Sequence, residues 1–512
     1  MSRRGFIGGA AAGAAALILQ PHLAGAVPAA PPFTLGVASG DPLPTSVVIW
    51  TRLAPDPLNG GGMGPGDEPV GWEVASDSGF ASVVASGTAI ASAEHAHSVH
   101  VDVAGLEPDN EYWYRFSAGP YTSPVGRTRT APASASAVTS MRFGFGSCQS
   151  WTSGYYTAHE HLAAEPLDVF FWLGDYIYEG GGSGVRAHNS AEVYTLEAYR
   201  SRYALYKSDP NLQAAHAAFP WVVVWDDHEV DNNYAGATDQ DGTDPATFLM
   251  RRAAAYKAWW EHQPVRMPPP TGPDLRIYRE LQWGTLASFF ALDTRQYRSD
   301  QACGVEDLSA PCPEQFDPSR SILGADQEQW LIDGLKRSAT QWNVIAQQVV
   351  FTAMPLAGGY NQDQWDGYPV TRQRIVETMA QSSVRNPLVV TGDIHAAGVG
   401  EVHLVGEDPS SPYVATELVG TSISSNFDPA LADIAEAIIG AIPWVKYVNV
   451  RQRGYTTVEL TRERMTAQFR TVSTVEQPQA DIETDFVWTV EARERGSGPA
   501  GGPVLATPTF TG

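Results

Sequence analysis

Two patterns of apolar and polar positions divide this chain. Between residues 33 and 130 they alternate in short runs (SVVIWTRL, GWEVAS, HSVHVDV, EYWYRFSAG) broken by Gly, Pro, Asn and Asp turns, including the loop 59–69. Period-two alternation without intervening helical periods predicts strands packed as a small all-β sandwich. From Met141 the alternation gives way to short continuous apolar runs: MRFGFG, VFFWL, WVVVW, ASFFAL, WNVIA and PLVVT. Their Val, Ile, Phe and Trp content predicts strands covered on both faces. Between them, residues 192–207, the stretch FLMRRAAAYKAWWEHQ from Phe248 and residues 325–338 carry helical spacing. GYTTVELTRERMTAQFRTV reads as strand, turn and strand, and the Ala/Ser run 131–140 as a linker. The expected class is α/β (α+β). Residues 31–132 form the β-sandwich and residues 140–495 a layered α/β unit. A Gly/Pro-rich tail occupies 496–512, and no internal repeat is visible.

Composition narrows the function. The chain has 512 residues, 43% of them apolar, and a formal net charge of −24 from 33 basic and 57 acidic residues. That balance excludes a diffuse electrostatic grip on nucleic acid or anionic membrane, so a phosphate-bearing substrate must meet a local positive feature.

The first 30 residues stand apart. Arg3 and Arg4 precede a weakly apolar Ala/Gly-rich run through Leu19 and the small-x-small site Ala24-Gly25-Ala26. This is the pattern of a twin-arginine export signal; a short membrane anchor is the alternative, but the run is short of the ~20 residues a span needs. Export implies an oxidising compartment. Cys303 and Cys312, nine residues apart in a Gly/Pro loop, are close enough to pair there, leaving Cys148 single at a strand end.

The strand ends carry the chemistry. Gly174-Asp175-Tyr176-Ile177-Tyr178 follows one buried run, Asp226-Asp227-His228-Glu229 a second, Asp293 to Arg298 a third and Gly392-Asp393-Ile394-His395 a fourth. Loops beyond the carboxyl ends of buried strands are where ligands collect on a rigid sheet. A Cys, a Tyr, several Asp and two His there predict a dinuclear metal site. A carboxylate such as Asp175 can bridge two cations, and residues 393 and 395 project to one side of an extended segment. His95, His97 and His100 are read as exposed positions in the β-module, and His159 and His161 as helical. Thr421, Ser422, Ser424 and Ser425 receive no role.

These motifs, in this order, resemble those of the calcineurin-like metallophosphoesterases and purple acid phosphatases. The likeness is greatest to the PhoD-like alkaline phosphatases and phosphodiesterases: FGSCQ (145–149), GDYIYE (174–179), DDHEVDNN (226–233), DxRxYR (293–298) and GDIH (392–395). Residues 106–114 likewise resemble the proline turn and tyrosine strand of fibronectin type III modules. The resemblance implies a fibronectin III-like β-sandwich followed by a calcineurin-like αββα sandwich. It implies Fe³⁺ held by Cys148, Tyr178 and His395, with Asp175 bridging to a second site that takes Asp227 and Asp393. Hard carboxylates there favour Ca²⁺, one ion or two. One superfamily histidine has no counterpart; Gln347 and Gln348 stand near where it is expected. His228 is expected to protonate the leaving alkoxide, and Arg295 to hold a phosphate oxygen by a forked contact.

The implied activity is a secreted, monomeric phosphohydrolase acting on phosphodiesters or phosphomonoesters, in which two cations lower the pKa of a water for in-line attack. Other readings are a phospholipase D-type diesterase on the same scaffold and a non-catalytic wall- or glycan-binding protein. A mononuclear iron oxygenase needs two His and one carboxylate, a poorer match to this donor set.

Overall fold

The computed structural model describes residues 30–305 and 307–493, so the export-signal and tail expectations lie outside the described residues. The continuous apolar runs form strands as predicted. Every residue of Val169–Leu173, Trp221–Val224, Ala287–Ala291, Trp342–Ala346 and Pro387–Thr391 is buried.

They divide between two sheets. Ser140–Gly146, Val169–Leu173 and Trp221–Val224 run parallel at the heart of a nine-stranded sheet. Ala287–Ala291, Trp342–Ala346, Pro387–Thr391 and Tyr413–Val419 run parallel in a seven-stranded one. The pleat sorts alternate side chains. Phe289 points inward, its ring 5.1 Å from Phe143 and 4.7 Å from Phe171 of the facing sheet. Phe290 points outward, into a cluster with Leu331, Leu335 and Ile375 of the helices Gly324–Arg337 and Pro369–Met379. Helices Leu196–Lys207, Pro210–Ala218 and Pro245–His262 cover the other sheet, contributing Tyr203, Leu212 and Trp259 to its core. The result is the expected αββα layering.

The N-terminal strands also pack as two layers, with Val47, Ile49, Val74, Tyr114 and Phe116 between them. Tyr112 donates its hydroxyl back to the Glu107 carbonyl (3.4 Å) and accepts from the Glu107 amide (3.0 Å), the tyrosine corner expected of a fibronectin-like turn. This module is not a separate bead. Val37–Leu43 pairs parallel with Trp221–Val224 through Gly40 and Trp221, so three module strands extend the nine-stranded sheet. Gly40 is required at that junction: a Cβ there would stand 2.1 Å from the Pro264 carbonyl oxygen.

Close docking also corrects the reading of the module histidines. His97 is buried and bonds the Gly66 carbonyl (2.8 Å). His100 bonds the Gln263 carbonyl (2.9 Å) and stacks on Trp260 (4.2 Å) at the end of the Pro245–His262 helix. Beside them Arg52 meets His262 at 2.7 Å. Alternation alone does not reveal that a second unit covers the polar face of this strand. Pro210–Ala218, Pro369–Met379 and the strand Ile482–Glu491 were likewise not predicted; the two helices open on Pro. Cys303 and Cys312 are joined as a disulfide.

Candidate metal centre

Five strand ends deliver the expected residues to one place. Ser140–Gly146 leads to Cys148, Val169–Leu173 to Asp175 and Tyr178, and Trp221–Val224 to Asp227 and His228. From the facing sheet, Ala287–Ala291 leads to Arg295 and Pro387–Thr391 to Asp393 and His395. The backbone there is strained. Cys148 (φ 60°), Asp175 (57°), Asp393 (68°) and His395 (54°) all occupy the left-handed region. That conformation costs an L-residue roughly 1–2 kcal/mol, and such outliers cluster at functional sites. Gly174 permits the sharp exit from its strand: its φ is 107°, and a Cβ would stand 2.3 Å from Asp226 Cβ. The turn is braced from below. Buried Glu229 accepts the backbone N–H groups of Asp175 (3.0 Å), Tyr176 (2.5 Å) and Asp226 (2.8 Å).

The donor atoms fall into overlapping groups. Those of Cys148, Asp175 and His395 lie within 4.8 Å of one another, as do those of Asp175, Asp227 and His228 and those of Asp226, Asp227 and Asp393. Asp175 belongs to the first two groups, which is the geometry of a bridging ligand. The Tyr178 hydroxyl is 3.0 Å from both Asp175 and His395 Nε2 and 2.7 Å from Ser425 Oγ.

The polar groups are incompletely satisfied. Asp175 Oδ1, Asp226 Oδ2 and Asp227 Oδ1 are buried without a hydrogen-bond partner. Burial, reinforced by neighbouring carboxylates, raises the Cys148 thiol, the Tyr178 phenol and the Asp175 carboxyl well above their usual ranges. Burial and then Asp227 push Asp393 up to about 6. Protons are therefore held tightly by groups that accumulate negative charge when ionised. Cations fit such a donor set: they compensate the charge, and a strong Lewis acid is needed to displace the thiol and phenol protons.

Arg295 is brought to the site but lies beneath it. Its Nε is 2.5 Å from Asp226, Nη1 is 2.7 Å from Asp363, and Nη2 is 3.7 Å from Asp227 and 3.8 Å from Asp393. The side chain is 0% exposed, whereas that of His228 is 20% exposed. Burial opposes the guanidinium charge, but Asp226 and Asp227 outweigh it, so Arg295 is permanently cationic. Nε and Nη1 are thus engaged, while Nη2 has no hydrogen-bond partner and lies toward Asp227 and Asp393, where the guanidinium offsets the acidic floor.

His228 is oriented by Glu179, whose carboxylate meets Nδ1 at 2.7 Å while also accepting the Asn232 N–H (2.9 Å). Burial lowers the imidazole pKa, but Glu179, Asp227 and Asp175 prevail and hold it well above its ordinary value. With Nδ1 taken by Glu179, His228 shares a donor group with Asp175 and Asp227. Gln347 and Gln348, by contrast, are structural: Gln347 bonds Thr391 (2.7 Å) and Gln348 bonds Thr294 (2.6 Å).

Sequence reasoning missed several supporting groups. Glu179 adjoins Tyr178 in the motif itself and was the most findable. Asp226, named only as part of its motif, carries both an unpartnered oxygen and the Arg295 contact. Asp363, which also pairs Arg298 at 2.5 Å, and Gln364, which donates to Asp393 at 2.6 Å, sit in an irregular segment without periodicity. Ser425 was passed over because serine turns are common.

Comparison with known proteins agrees with the geometry. Residues 143–469 match the family described as PhoD-like phosphatase, and residues 20–132 match its N-terminal domain. The chain is 48% identical over 470 residues to alkaline phosphatase D of Bacillus subtilis (strain 168), covering 88% of this chain and 80% of that one. It is also similar to the solved structure of PhoD, with a TM-score of 0.88, 46% identity and 94% of each chain covered.

Proposed function

Because this chain belongs to the PhoD-like phosphatase family, we propose that it hydrolyses phosphodiesters, phosphomonoesters or both at a centre holding Fe³⁺ and one or two Ca²⁺. The observation that carries this reading is Asp175, shared by two donor groups and left with an unpartnered buried oxygen. Cys148 and Tyr178, once ionised, would supply anionic thiolate and phenolate donors and His395 a nitrogen suited to the ferric ion, with Asp175 between. Asp227 and Asp393 supply hard oxygens suited to Ca²⁺. When bound, such a pair supplies Lewis-acid polarisation of phosphoryl oxygens and a water of lowered pKa.

The chain's own groups do the rest. His228 is an imidazolium sustained by Glu179, and donates its Nε2 proton to the departing alkoxide oxygen. Arg295 favours the ionised forms of Asp226, Asp227 and Asp393 against the burial that opposes them, acting on substrate only through them. Ser425 and Gln364 hold Tyr178 and Asp393 in place.

Export by the twin-arginine route is supported by the Arg3-Arg4 segment and the small-residue site at 24–26, and by a centre best assembled before translocation. The protein acts as a monomer outside the cytoplasm. No described helix is long and apolar enough to cross a membrane.

The test is elemental analysis of natively exported protein alongside bis-p-nitrophenyl phosphate turnover before and after chelation. Iron with calcium, and activity lost to chelator and restored by Ca²⁺, is the expected result. Zinc or manganese with activity overturns the metal assignment alone. Metal-loaded protein without turnover overturns the hydrolase reading.

A further inference from the structure

The loop closed by the Cys303–Cys312 disulfide reaches the proposed centre from two directions. Just before it, buried Gln301 donates its side-chain amide to Asp363 Oδ1 (2.8 Å) and to the Asn233 carbonyl (2.7 Å). Asn233 in turn donates its N–H to Asp227 (2.7 Å). Within the loop, Leu308–Ser309 pairs antiparallel with Tyr360–Asn361, and the Asp307 carbonyl accepts the Gln362 N–H (3.1 Å). The next two residues of that partner segment are Asp363, which pairs with Arg295, and Gln364, which donates to Asp393 (2.6 Å).

Burial does little to hold this loop. None of the described residues from Cys303 to Glu314 is buried, so no apolar core offsets the entropy of ordering them. The disulfide closes the stretch at a separation of nine residues and removes much of that freedom. It thereby joins the Gln301 arm to the Leu308–Ser309 arm and keeps both on the segment 360–364.

That segment serves one part of the centre. Asp363 and Gln364 contact Arg295 and Asp393, the groups around the second metal position. Tyr178 and His395, at the iron position, are held instead by Ser425 (2.7 Å) and the Asn426 carbonyl (3.0 Å).

We infer that the Cys303–Cys312 disulfide, acting through Gln301 and the segment 360–364, is a thiol-sensitive positioning element of the second metal position. A dithiol reductant gives up two electrons and two protons and becomes a disulfide, while Cys303 and Cys312 become thiols. The segment then loosens, Asp227 and Asp393 lose supports, and the second position weakens while the iron position keeps its own. The inference rests on the metal reading above for the identity of the ions; the coupling rests on hydrogen bonds among the chain's own residues.

The test compares the full chain with the disulfide intact, opened by dithiothreitol that is removed before metals are added, and reoxidised. In metal-free protein, amide hydrogen exchange at residues 361–364 should speed about 10-fold or more on reduction. In iron-loaded protein, calcium affinity by calorimetry should fall about 10-fold or more, as when residues supporting metal ligands are lost. Iron content should stay constant, and reoxidation should restore both readouts. Gln301→Leu, which keeps the disulfide, should weaken calcium binding in the same direction without reductant. Unchanged exchange and unchanged calcium affinity in the reduced protein overturn the inference and leave the metal reading standing. Faster exchange with unchanged calcium affinity overturns it too, because the segment then gives the site no support. Parallel loss of iron and calcium shows general loosening and overturns the selectivity. Intact wild type that binds no calcium overturns the metal reading, and this inference falls with it.

Discussion

Replacing Arg295 by methionine separates two roles an arginine can have beside a phosphate site. The guanidinium is fully buried, with contacts of 2.5 Å to Asp226 and 2.7 Å to Asp363, and lies 3.7 Å and 3.8 Å from Asp227 and Asp393. At ~4 Å and an effective dielectric of ~20, each of the longer contacts carries about 4 kcal/mol of attraction. Asp363 keeps Arg298 as a partner, so the loss falls mainly on the other three. Removing one member of a buried ionic group typically costs about 3–5 kcal/mol. Metal-free Arg295→Met protein should therefore unfold in urea with a stability lower by about that amount. Calcium should then rescue it beyond its effect on the wild type, because a cation that no longer meets the guanidinium binds at least ~10-fold tighter, or about 1.4 kcal/mol. Urea titrations with and without Ca²⁺, plus Ca²⁺ affinity by calorimetry, read both terms. Unchanged stability and unchanged Ca²⁺ affinity, with a raised KM for the ester, would return Arg295 to direct phosphate contact and refute the argument.

Three further outcomes follow from other parts of the molecule. Asp175→Asn should lose turnover and bound metal together, with far-ultraviolet dichroism unchanged; full metal content with normal rates would remove Asp175 from the bridge. His228→Ala should retain the metals and slow esters with poor leaving groups by roughly 10²–10⁴-fold while sparing activated aryl esters; equal loss on both would count against proton donation. His159 is buried with one nitrogen bonded to Gln149 (2.8 Å), and burial drops its pKa to about 3. A folded pKa below the unfolded ~6.5 means its neutral form stabilises above pH 6.5 and that contribution drains away as pH falls toward 3. Relative to His159→Gln, the wild type should thus lose about 1.6 kcal/mol more between pH 6.5 and 5, the slope rising toward ~1.4 kcal/mol per pH unit below the unfolded pKa. Parallel pH profiles for the two proteins would show that His159 does not stay neutral.

The parts of the fold visible in the sequence are those fixed by local composition. VFFWL and PLVVT are β-branched and aromatic runs short enough to favour strands buried on both faces, and a Gly-Asp at the end of such a run favours a turn carrying a carboxylate. The six expected donor positions all stand at or just beyond such strand ends. What stayed hidden depends on partners distant along the chain. Nothing local tells His100 that Trp260 lies over it, or Arg295 that Asp363, 68 residues later, will cap it. The arginine shows how far this matters for function. Its motif resembles a phosphate clamp, and only the placement of four carboxylates around one guanidinium turns it into a counterion. Residue type and spacing thus nominate candidate ligands, because a metal selects donors by chemistry. Whether a charged side chain meets substrate or supports its neighbours depends on which groups surround it, and here Asp363, from an irregular segment, pairs with the guanidinium.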